Sequence, residues 1–174
     1  MFDDNDIKIF GEKKAPKKEE IENLPKEKIE KARALGKSVA EIYISDYKSQ
    51  KAENLADTEF LVQRILLLSF TATAGFEEYI KDDVLIGFAQ KSFLDTVRSE
   101  SVDLYKASSD MGAFSFYYLA FRRDNDIERR IGQTFAMLCS HDGDPIFQEL
   151  GEALFCWFFS KVKAIVEENL DIIY

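Results

Sequence analysis

The sequence predicts an all-α, single-domain bundle of five to seven helices. Three observations carry that expectation. Apolar residues recur every three or four positions through most of the chain from Lys26 onward, the spacing of a helix face. No period-two alternation persists beyond a few residues, and no repeat shows at the ~20–50-residue periods of solenoids. Capping residues punctuate the apolar stretches at short intervals, which favours antiparallel neighbours.

Residues 1–25 read as a charged, flexible arm, leaving 26–174 for the bundle. In the arm, Lys13-Lys14 and Lys17-Lys18 alternate with Glu12 and Glu19-Glu20 around Pro16, and too few apolar residues occur to pack. A first helix starts at Lys26 and carries Ile29, Ala32, Leu35, Val39, Ile42, Tyr43 and Tyr47 before fraying near Gln50. A second starts at Asp57-Thr58, good capping residues. It shows two adjacent apolar stripes, which means deep burial, and Gly75 weakens it near its end. Asp82-Asp83 open a third, and Ser99-Glu100-Ser101 mark a break. Ser109-Asp110 cap an aromatic helix ending near Arg122. Asn125 to Glu128 has the outline of a capping box for a helix reaching Ser140. Asp144-Pro145, a cap followed by proline, starts the last helix.

Charge narrows the function classes. Residues 1–37 hold ten Lys/Arg and nine Asp/Glu; the rest hold thirteen and twenty-three, a balance of −10. An acidic domain is a poor partner for a phosphate backbone or an anionic membrane surface, so neither nucleic acid nor membrane is expected. The longest apolar run, Phe60 to Phe76, is interrupted by Gln63 and Arg64 and falls short of the ~20 residues of a span. The first residues are acidic, unlike a secretion signal. Cys139 and Cys156 sit in apolar helical patterns and read as reduced thiols of a cytoplasmic protein.

Motifs for catalysis are scarce, so the chain reads as non-enzymatic and without a cofactor. The single histidine, His141, lies in Ser140-His141-Asp142-Gly143-Asp144-Pro145. It reads as punctuation between two helices: a cation partner at a helix C-terminus, a glycine able to turn left-handed, then a cap. One histidine cannot supply paired Glu-x-x-His motifs, and no zinc or phosphate-loop pattern occurs.

The lesser candidates are charged. Glu77-Glu78 followed by Glu100-x-x-Asp103 could hold Mg²⁺, since positions three apart share a helix face. All-α nucleoside triphosphate pyrophosphatases use Glu-Glu-x-x-Glu followed by Glu-x-x-Asp; here Lys81 stands at the third glutamate, so the first half fails. Arg122, Arg123, Arg129 and Arg130 form an anion-binding candidate, with pairing to nearby acids the simpler reading.

The stronger candidates are ring-rich. Phe114 to Phe121 and Leu154 to Phe159 are apolar on too many sides for surface helices. Such helices are central to a bundle, part of a subunit interface, or the wall of a pocket. The residues expected to decide this are Phe114, Phe116, Tyr117, Tyr118, Phe121 and Trp157, with the short 114–121 helix expected at a subunit interface or a pocket. The function read from the sequence is self-association, a homodimer favoured, acting through protein–protein contact. A bundle binding a small apolar or aromatic ligand is the alternative, and a Mg²⁺-dependent nucleotide hydrolase a further one.

Overall fold

A computed structural model describes residues 21, 23–53, 58–123 and 125–169. Residues 1–20 of the expected arm and the expected cap Asp57 lie outside them. Within the expected arm, Ile21 and Leu24 are half-buried against the core.

Among the described residues seven helices follow: α1 (Lys26–Ala52), α2 (Thr58–Tyr79), α3 (Asp83–Glu100), α4 (Val102–Ala107), α5 (Met111–Phe121), α6 (Ile127–Leu138) and α7 (Pro145–Glu167). No strand occurs among the described residues. Aspartate or serine side chains set four starts. Asp82 accepts from the Val84 and Leu85 amides, Ser101 from Leu104, Asp110 from Gly112 and Ala113, and Asp144 from Ile146. The expected capping box at α6 does not form. Asp126 is left-handed (φ 55) with no side-chain cap bond, and the Arg130 Nε instead donates to the Asn125 carbonyl at 2.8 Å.

The α6 C-terminus closes on Ser140 rather than on glycine. Ser140 takes φ 61, its amide donates to Met137 O, and the His141 amide donates to Ala136 O. Those two bonds are the Schellman pattern. Gly143 (φ 77) then makes the following turn, closed by the Asp144 amide on His141 O.

The four long helices pair in two parallel sets. Arg33 lies over Phe88, Gly36 abuts Ala89, and Lys48 meets Glu100, so α1 and α3 run side by side in one direction. Phe60 faces Phe147, Gly75 faces Val162 and Tyr79 faces Phe159, so α2 and α7 do the same. Sequence neighbours α1 and α2 therefore pack less on each other than α1 packs on α3. The α6–α7 pair is antiparallel: Glu128 lies near Cys156, Gly132 abuts Glu152, and at the other end residues 139–144 join the two helices. Helices α4 to α6 form the excursion between α3 and α7.

Helix α2 is the one described helix long and apolar enough to pass as a span by composition, but 61% of its apolar window is buried in the bundle. An apolar face covered by neighbouring helices is a core helix.

Tyr43 sits where the layers meet. Its ring lies 5.4 Å from Phe93 and 6.3 Å from Phe158. Its hydroxyl is 2.7 Å from Ser108 Oγ and 3.2 Å from Ile65 O, while Ser108 Oγ donates to Leu104 O at 2.6 Å. Two hydroxyl hydrogens serve three contacts, so the shortest two define the chain: Tyr43 donates to Ser108, which donates to Leu104. Ser69 Oγ donates to Ser108 O, adding α2 to the junction. Tyr117 is equally buried, yet its Oη has no hydrogen-bond partner among the described residues.

The two phenols thus separate a bonded from an orphaned hydroxyl. Tyr43→Phe is expected to cost about 1 kcal/mol, the net worth of a buried hydrogen bond. Tyr117→Phe removes a desolvated, unsatisfied group and is expected to leave stability unchanged or raise it by up to about 1 kcal/mol. Urea unfolding of the two variants checks this; equal losses would refute the distinction.

Candidate functional site

The aromatic residues singled out by sequence divide between inside and outside. Tyr117 is fully buried and stacks on Phe70 of α2 at 5.5 Å. Phe114 and Phe121 meet the same ring edge-on at 5.9 and 6.1 Å. Phe121 also reaches Phe155 and Phe159 of α7. These rings make one edge-to-face cluster joining α2, α5 and α7, worth more than its area alone. Tyr118 is half-buried under the Arg122 guanidinium, 4.3 Å from its ring centre. Trp157 lies on α7 at 37% exposed, beside Phe158.

Phe116 points the other way and is 50% exposed. With it, Met111 is 48% and Leu119 64% exposed. At 100° per residue these three, with Gly112 and Ser115, fall on one side of α5. The sequence reading missed Met111 and Leu119. A helix apolar on all sides carries no periodicity to separate its faces.

The acidic candidates do not converge. Glu77 accepts from Gln90 at 3.4 Å, whereas Glu100 pairs with Lys48 at 2.9 Å. Gln90 and Glu100 are ten residues apart on α3, about 15 Å of helix. Glu78 and Asp103 are exposed, and no three His, Cys, Asp or Glu side chains gather as a metal would need among the described residues. Among the arginines, Arg122 is engaged with Tyr118 and Arg130 with the Asn125 carbonyl; Arg123 and Arg129 are exposed. His141 stacks flat on Phe147 at 3.8 Å, with Nδ1 3.9 Å from Asp144, so it completes the α6–α7 turn.

Both cysteines are free thiols. Burial, with the Glu59 carboxylate beside it, pushes the Cys139 thiol up to about 12. Burial also raises Cys156. Neither offers a nucleophilic thiolate near neutrality.

A groove of about 1010 Å³ runs between α1 and α3. Charged side chains rim it, among them the pairs Lys48 with Glu100 and Lys91 with Asp95, and Arg33, which pairs with Glu30. Phe88 forms part of its wall under Arg33. None of the aromatic candidates lines it. The outward face of α5 is one apolar surface left without a use inside the bundle; among the described residues Val102 of α4 and Ile146 of α7 are exposed as well.

No family model, curated protein or solved structure matches the chain. The functional reading accordingly rests on the chemistry of these residues.

Burial raises both Tyr43 and Tyr117 above the ordinary phenol value of 10.0. In the unfolded chain both ionise near that value. Their contribution is complete below pH 10 and is lost as pH rises beyond it, because only the unfolded state then releases protons. Alkaline titration is expected to show two tyrosinates appearing only together with loss of helical circular dichroism. Ionisation of every phenol while the helix signal persists would contradict it.

Proposed function

We propose that this chain is a non-enzymatic, cytoplasmic helical-bundle protein that self-associates and acts through protein–protein contact, a homodimer being its first assembly. The observation supporting this is the outward face of α5, where Met111, Phe116 and Leu119 are each about half exposed or more. Large apolar side chains grouped on one face mark a contact surface more often than scattered ones do. The acidic balance of the bundle and its dispersed carboxylates favour this reading over nucleic-acid binding and over metal-dependent hydrolysis.

Native mass spectrometry with sedimentation velocity over a concentration series is the test. A dimer fraction that grows with concentration is expected. A species that stays monomeric at the highest concentrations overturns the proposal, and a retained small molecule or metal would favour the ligand-binding or hydrolase alternatives.

A further inference from the structure

Resting on the reading of self-association, we infer that two copies meet through the outward face of α7, antiparallel about a twofold axis at the level of Phe155. The inner side of α7 faces the bundle through Gly151, Leu154, Phe155, Phe158, Val162 and Val166. The opposite side carries Ile146, Leu150, Ala153, Trp157, Ser160 and Ala164, spaced four and three in alternation. That is the spacing of a two-helix seam. At 100° per residue all six fall within about 40° of a common line. Leu150 is half-buried and the other five are exposed, Ile146 at 73% and Trp157 at 37%. Helix α1, longer than α7, exposes no large apolar side chain among the described residues.

A twofold contact uses one patch twice, so the patch must complement its own reverse. The α7 seam does so in size. Turned end for end about Phe155, Trp157 of one copy meets Ala153 of the other, Leu150 meets Ser160, and Ile146 meets Ala164. Every layer sets a large side chain against a small one, the condition for close interdigitation. A seam for an unrelated helix has no reason to mirror itself about its own midpoint. The match extends to charge. Glu149 and Lys163 flank the seam on one side, and antiparallel twofold pairing brings like flanks together. Glu149 of each copy therefore faces Lys163 of the other. Glu149 has no ion pair among the described residues. Lys163 is held within its own copy by the exposed Glu167 at 3.7 Å and the Tyr79 ring at 5.9 Å. A parallel pair would instead set Trp157 against Trp157 and align the helix dipoles unfavourably.

The contact spans residues 146–164, about 28 Å of helix. One helix from each copy reaches at best the low end of the ~1,200 Å² of a stable complex, so a dissociation constant on the order of 100 µM is expected. Glu149–Lys163 attraction should tighten it modestly at low salt.

Trp157 is the chain's one tryptophan, so its emission reports on this contact directly. Sedimentation velocity over a dilution series is expected to show a dimer whose formation moves that emission to shorter wavelength. The wild-type signal needs no variant, so the test survives a substitution that fails to fold. Trp157→Glu is expected to weaken association at least about tenfold. Ala153→Trp alone sets two tryptophans against each other in one layer, and Trp157→Ala alone leaves that layer hollow. Each is expected to weaken association about tenfold. Together they only exchange the large and the small partner, so the double variant is expected to dimerise within about threefold of wild type. Circular dichroism checks the fold of each. If the wild type dimerises with its emission unchanged, or Trp157→Glu dimerises as well as wild type, α7 is not the contact and self-association stands. If Trp157→Glu weakens association but the folded double variant recovers none of it, the register about Phe155 is overturned. If the wild type remains monomeric throughout, both readings fall.

Discussion

Gly36→Ala is expected to destabilise the bundle by about 3 kcal/mol, the upper end of what an added methyl costs in a packed interior. At Gly36 the backbones of α1 and α3 come into contact, and a Cβ would overlap the Ala89 carbonyl oxygen. That atom belongs to helical backbone, so no rotamer change can yield the space. The whole of α1 would have to move away from α3. Such a movement would also disturb Ser92 Oγ, which donates to Arg33 O at 2.7 Å across the same seam. Chemical denaturation should show a lower midpoint with an unchanged slope. Gly87→Ala is the internal control. Nothing lies within 4 Å of a Cβ there, and alanine should raise stability by up to about 1 kcal/mol through its better helix propensity. Equal effects at the two glycines would show that α1 and α3 do not touch as described.

Asp46→Ala is expected to cost a similar amount, about 3 kcal/mol. Arg64 grips Asp46 with two bonds, Nε to Oδ2 at 2.9 Å and the second nitrogen to Oδ1 at 2.6 Å. Both side chains are only 13% exposed. Removing one partner leaves the other charge desolvated and alone, which is where most of the loss arises. Replacing both at once, as in Asp46→Leu with Arg64→Met, is expected to recover most of it. Exposed pairs such as Lys31–Glu27 should contribute a small fraction of this. A double-mutant cycle on Asp46 and Arg64 measures the coupling, and a value near zero would refute the assignment.

Element starts were legible because their signals are local. Asp82, Asp110 and Asp144-Pro145 cap helices within three residues of themselves, and the structure uses all three. The Asn125–Glu128 box misled because the helix starts one residue later, after a left-handed Asp126, and Arg130 bonds to the Asn125 carbonyl. Gly75 read as a weak point in α2; it is the slot that receives Val162. Its value lies 87 positions away, where no local pattern can show it. The Tyr43–Ser108 link spans 65 positions, and the Arg64–Asp46 pair joins two helices whose facing sides periodicity does not specify. For the candidate site, sequence located α5 but could not divide it. Tyr117 and Phe116 are adjacent and chemically alike, yet one is sealed against Phe70 and the other faces water.

The parallel pairing of α2 with α7 has a consequence for how the chain is made. A ribosome releases α2 about ninety residues before the helix that covers it. Until α7 emerges, the face of α2 around Gly75 and Tyr79 lacks the Val162 and Phe159 that cover it, and contacts of such long separation form late. A nascent chain halted after α5 should therefore be captured by chaperones that bind apolar segments, and released once Val162 has passed the exit tunnel. The same delay makes the order of synthesis matter: a circular permutant that begins at α6 and places α7 ahead of α2 should refold faster than the natural order.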